Sequence, residues 1–155
     1  MTKQIHISKS LSLPMDLMAL ASAALGVRGS GKTNTGVCIV EDLLEAGQQV
    51  IIVDPLDVWW GLKSSADGKQ EGHPVTIIGG VHGDVPLNEG DGRLIADFLT
   101  DNPVSAILSM RHLSGAAQRR FMTDFAETLF HRKGEAEKNT PVFIVIDAAS
   151  QFVPQ

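Results

Sequence analysis

The stretch GVRGSGKT, residues 26 to 33, restricts this chain more than any other, because it satisfies G-x-x-x-x-G-K-[ST] at every fixed position. Its glycines let a backbone turn tightly and come close to a ligand. The short apolar run before it predicts a first core strand over Ser22 to Leu25. The run after it predicts a helix over Lys32 to Ala46, closed by Gly47. A glycine-rich turn between a strand and a helix gathers anionic oxygens on backbone N–H groups and on the helix N-terminus. Lys32 adds a cation for the β- and γ-phosphates, and Thr33 a hydroxyl for Mg²⁺, a hard ion that prefers oxygen. The alternative, a flexible glycine turn ahead of a helix, does not account for the agreement of pattern and setting.

The remaining chain alternates short apolar runs with longer amphipathic ones, the pattern of a mostly parallel sheet flanked by helices, so the expected class is α/β. QVIIVDP (49 to 55) is a continuous apolar strand, buried on both sides, ending in Asp54 before a proline. PVTIIGG and VSAILSM (104 to 110) predict two more strands, and VFIVID (142 to 147) the last. Helices are predicted over 91 to 99 and from Ser114, a candidate cap, to His131. On the first helix Val37, Val40, Leu43 and Leu44 share a face. Residues 4 to 8 alternate like a small edge strand, and Leu11 to Leu17, broken at Pro14, is extended or turning; neither reads as core. Residues 1 to 13 are therefore expected to be an N-terminal extended segment, and 14 to 155 the core domain. The polar stretch 61 to 74 is a surface loop.

A chain of 155 residues with 43% hydrophobic and 20% charged residues can bury one sizeable core. Its net charge of −5 goes against a generally basic nucleic-acid coat, while leaving room for a local basic lining. The single cysteine, Cys38, excludes an internal disulfide and a cysteine-based zinc site. Ala21-Ser22-Ala23 resembles a signal-peptidase site, but Pro14 and Asp16 interrupt the run ahead of it, and no run reaches the ~18 apolar residues of a membrane span. A cytoplasmic protein without a membrane partner is expected.

A hydrophobic strand ending in Asp is what such a phosphate site uses to hold Mg²⁺, and two strands end that way. Asp147 is the favoured ligand. Asp54 competes, but it follows directly on the first helix, where a neighbouring structural element is expected.

Together and in this order, GVRGSGKTNT, IIVDPLDVWWGL and VFIVID with QFVPQ resemble the HerA/FtsK-type P-loop ATPases over roughly residues 11 to 155. The resemblance implies a RecA/FtsK-like P-loop NTPase fold and binding of ATP with Mg²⁺. It also implies a ring-shaped homo-oligomer, usually a hexamer, that acts on DNA, sometimes with a nuclease or an antiphage defence effector. Carried onto this chain, it assigns the nucleotide to Gly26, Arg28, Gly29, Ser30, Gly31, Lys32, Thr33 and Asn34. The metal falls to Thr33 and Asp147, and catalysis to Lys32 and Asp147. Family members have Glu immediately after that Asp, whereas Ala148 stands here and cannot accept a proton from the attacking water, so hydrolysis is expected to be poor. A naturally degenerate ATPase and an engineered substitution both account for Ala148. The family also continues past FVPQ into a further central strand and an arginine that reaches a neighbouring subunit. The sheet is therefore expected to be incomplete at the C-terminus, with a gap between the phosphate-loop strand and the Asp147 strand.

Other groups have two readings each. Gln151 and Glu127 are surrogate bases or surface residues. Trp59 and Trp60 stack on a base or partner, or pack under the 61 to 74 loop. Arg111, Arg119, Arg120, Arg132 and Lys133 form a DNA-contacting surface, or a solvated face interleaved with acids. The five histidines have no metal-ligand spacing. A small-molecule kinase lacks a recognisable acceptor site, and a GTPase lacks both N-K-x-D and D-x-x-G.

Overall fold

The computed structural model describes residues 4–65 and 67–152, apart from the side chains of Met18 and Ala19. Residues 1–3, Ala66 and the last three residues of the FVPQ segment lie outside the described residues. The chain opens with an antiparallel hairpin, β1 (Gln4–Ser8) and β2 (Leu11–Pro14), which continues into a 3₁₀ turn at Met15–Ala19. There follow α1 (Lys32–Glu45), β3 (Gln49–Asp54), β4 (Val75–Gly79), α2 (Gly92–Asp101), β5 (Ser105–Ser109), α3 (Gly115–Lys133) and β6 (Val142–Ile146). The four later strands form one sheet in the order β4-β5-β3-β6, every pairing parallel. The chain is thus α/β, a parallel sheet flanked by helices.

Alternation along β3 explains the layers, since successive side chains point to opposite faces. Val50 and Ile52 join Ile77 and Ile107 on the face covered by Val40 and Leu43 of α1. Ile51 and Val53 join Ile78, Ala106 and Leu108 on the other face, under α2 and α3. Every residue of β3 is buried, as its unbroken apolar run predicts. Phe121 and Phe125, one helical turn apart and fully buried, anchor α3, and truncating either to Ala costs about 3–5 kcal/mol. Ser114 caps α3, its Oγ accepting from the Ala117 N–H at 3.2 Å, and basic His131, Arg132 and Lys133 occupy the last turn, opposite the helix dipole's negative end. α1 ends as its sequence predicts, on Gly47 with a left-handed φ of 74°.

Two expectations fail. The N-terminal hairpin contributes to the core: Ile5 is fully buried in the α1-side cluster, and the His6 amide donates to the Asp42 carboxylate of α1. Two alternating apolar residues look weak until a helix face is laid against them. The strand expected over Ser22 to Leu25 does not form. Residues 21–27 have no regular structure and are exposed throughout, Leu25 at 91% and Val27 at 80%. A strand needs a neighbour for its N–H and C=O groups, and this segment pairs with none: among the described residues no strand is hydrogen-bonded to the outer side of β6. β6 is consequently an edge. Ile144 and Ile146, on the α2/α3 face by their register with Ile51 and Val53, remain 46% and 45% exposed. Among the described residues no helix is long and apolar enough to cross a membrane.

Candidate functional site

The carboxyl ends of the parallel strands and the start of α1 meet at one end of the sheet, the usual location of binding crevices in open α/β sheets. The glycine-rich turn is built as its composition requires. Gly29 and Gly31 have φ of 81° and 89°, in the left-handed region that glycine occupies freely. Ser30 N–H closes a turn onto Val27 O at 3.2 Å. A Cβ on Gly26 would lie 2.5 Å from Ser30 Oγ, so any other residue there would have to turn the serine hydroxyl aside. Gly31 is the N-terminal cap of α1, and no side chain caps the helix there. Its first N–H groups are left for another acceptor. Lys32 folds back over the turn, its Nζ donating to Gly26 O at 2.9 Å and Val27 O at 2.8 Å. Arg28, Ser30, Thr33 and Asn34 are exposed around it.

Asp147 follows β6 and reaches the same place. Its N–H continues the ladder onto Val53 O, which carries the carboxylate past the sheet edge toward α1. Thr33 Oγ1 donates to Asp147 Oδ2 at 3.5 Å, joining residues 114 positions apart. The indole Nε1 of Trp59 donates to the same oxygen at 3.0 Å, and the Ala148 amide donates to Oδ1 at 2.8 Å. Ala148 itself has φ 47° and ψ 44°, a left-handed conformation that strains a residue with a Cβ. Its methyl group offers no acceptor. Gln151 and Glu127 are exposed and have no contact to Asp147 among the described hydrogen bonds.

Asp54, the competing carboxylate, is fully buried and occupied. Oδ2 accepts from the Val58 and Trp59 amides at 2.7 and 2.9 Å, and Oδ1 from Leu56 at 3.1 Å, so it organises the turn after β3. Burial pushes its pKa up, against the pull of those N–H groups. Three residues on, Asp57 sits at φ 60° and ties that turn to its neighbours, accepting from Ser109 Oγ at 2.7 Å and the Val81 amide at 3.1 Å. Burial raises its pKa, but the Ser109 hydroxyl, the Val81 amide and the positive charges of His82 and Arg111 prevail, holding it below the usual carboxylate range. Gly80 permits this packing, since a Cβ there would strike both Asp57 and Ser109.

The tryptophans divide. Trp59 is buried, in one cluster with Leu62 of the 61 to 74 segment and with its ring against Gly36 of α1, while Trp60 is 43% exposed and stacks on His82 with ring centroids 4.2 Å apart. On α3, Arg120 forms a surface ion pair with Glu89 and Arg132 with Asp97, Asp101 and Glu135, while Lys133 donates to Thr140 O. This is the solvated-face pattern. Among the described residues no group of three His, Cys, Asp or Glu is arranged to hold a metal. Sequence reasoning missed the bond from Trp59 to Asp147 and the Asp57–Ser109 clasp. The acidic and aromatic density of DPLDVWW was the available signal. No protein-family model, curated protein or solved structure matches this chain.

Proposed function

We propose that the chain is the nucleotide-binding core of a P-loop ATPase of the HerA/FtsK type, with ATP held at Gly26 to Thr33 and Mg²⁺ between Thr33 and Asp147. The observation that carries this reading is the 3.5 Å approach of Thr33 Oγ1 to Asp147 Oδ2 beside a lysine folded over a glycine-rich turn. The donor set suits the ion: Mg²⁺ takes one or two hard protein oxygens, phosphate oxygens and several waters, so a cage of three carboxylates is not needed. Held by Thr33 and Asp147, Mg²⁺ would supply positive charge to neutralise the bound phosphates. Lys32 Nζ, now satisfied by two backbone carbonyls, is within a turn of the same site and would exchange those carbonyls for phosphate oxygen. The uncapped first turn of α1 would supply N–H donors.

Ala148 lacks any group to orient or deprotonate water, so hydrolysis should run about 10²–10⁴-fold below that of an enzyme with a base there. This favours a second reading of the same site, a nucleotide-dependent assembly module in which ATP binding orders a ring, a hexamer by resemblance, on DNA or with a nuclease or defence effector. A small-molecule kinase is the third and weakest, for want of an acceptor site. Calorimetric titration of ATP·Mg²⁺ tests the common core. Lys32→Ala should weaken binding about 10–100-fold, the value of a charge-assisted contact, and unchanged affinity would overturn the nucleotide reading. Particle mass with and without ATP then tests assembly, and DNA-stimulated ATP consumption tests the motor.

A further inference from the structure

The group that fixes Asp147 comes from neither the glycine-rich turn nor β6. Trp59 Nε1 donates at 3.0 Å to Oδ2, the oxygen that also faces Thr33. The indole is 3% exposed and held from two sides. Its own backbone N–H is anchored on buried Asp54 at 2.9 Å, and its ring abuts α1 at Gly36, where a Cβ would lie 3.1 Å from Cη2. An indole is a donor only, so it fixes a carboxylate without competing as a metal ligand or as an acceptor for a metal-bound water. Resting on the nucleotide reading above, we propose that Trp59 is the positioning residue of the metal side of the site: it holds Asp147 Oδ2 toward Thr33, and thereby sets how much Mg²⁺ adds to ATP affinity.

Outer partners of this kind are worth about 10–100-fold in metal affinity. ATP affinity is measured by calorimetry in Mg²⁺ and in EDTA, for the unaltered chain, Trp59→Phe, Asp147→Asn and the double variant. Trp59→Phe should cut the Mg²⁺-dependent gain about tenfold or more and leave the EDTA value unchanged. In the Asp147→Asn background it should have no further effect on that gain. An undiminished Mg²⁺ gain in Trp59→Phe, or an equal loss in EDTA, would overturn the proposal while leaving the nucleotide reading standing. Absence of ATP binding by the unaltered chain would overturn both. Should Trp59→Phe fail to fold, a Trp60→Phe chain keeps Trp59 as the sole indole emitter. Its fluorescence should shift on saturation with ATP·Mg²⁺ and stay unmoved on saturation with ATP in EDTA, and a response to ATP alone, or none to either, would overturn the assignment.

Discussion

The carboxyl ends of β3 and β6 carry the same text, an apolar run closed by aspartate, on adjacent parallel strands. Their carboxylates have opposite fates. Asp54 ends the central strand, where burial is complete and the next five residues curl back to give it three backbone N–H groups, leaving no free oxygen for a ligand. Asp147 ends the edge strand, one position beyond the register with Val53, and one of its oxygens meets side chains from two other elements, Thr33 and Trp59. A strand-terminal Asp is therefore enclosed as a structural cap or left open to side chains of other elements, according to whether the chain after it turns inward or stays open. Pro55 and the DVWW turn decide the first case, and left-handed Ala148 the second.

The sharpest way to probe this difference is to give the open end its missing acceptor. Ala148→Glu should raise steady-state phosphate release from ATP by about 10²–10⁴-fold, and no gain would count against a degenerate motor. Stability separates the two carboxylates next. Asp54→Ala strands three N–H donors and should lower unfolding free energy by about 3 kcal/mol, whereas Asp147→Ala strands one buried donor, the Trp59 indole, and should cost about 1 kcal/mol, both read from urea midpoints. Equal losses would erase the contrast. The turn that Asp54 organises can also be tested through pH. Asp57 has a depressed pKa, so its contribution is fully present above the ordinary carboxylate value of 3.8 and is lost as pH falls through the lower folded value. Ser109→Ala should cost about 1 kcal/mol at neutral pH and move the onset of acid unfolding to higher pH, as followed by circular dichroism. The smallest effect belongs to Ala148→Gly, where relief of the left-handed strain, partly offset by greater unfolded-chain entropy, should stabilise the fold by less than about 1 kcal/mol in a thermal melt.

Much of the scaffold was legible in the residues. Unbroken apolar runs marked β3 and β5, a shared apolar face marked the buried side of α1, and Ser114 and Gly47 marked helix ends, because these signals depend on neighbours within a turn or two. Thr33 and Asp147, singled out from separate motifs, lie 3.5 Å apart in the fold. What stayed hidden depends on partners far along the chain. Ser22 to Leu25 has a strand's composition, yet a strand forms only where it pairs with a neighbour, and among the described residues this segment pairs with none. Ile5 is buried only because α1 lies over it. The bond from Trp59 to Asp147 spans 88 positions, and no periodicity announces such a distance.

Gly36 has one more consequence. Alanine at that position would hold α1 more firmly by about 1 kcal/mol, but its methyl group would press on the Trp59 ring. The helix that presents Lys32 and Thr33 is thus softer in its second turn than it could be. An indole leaning on that soft turn makes a mechanical link, so that any rotation of the helix start on taking up a ligand would be felt first at the turn after β3.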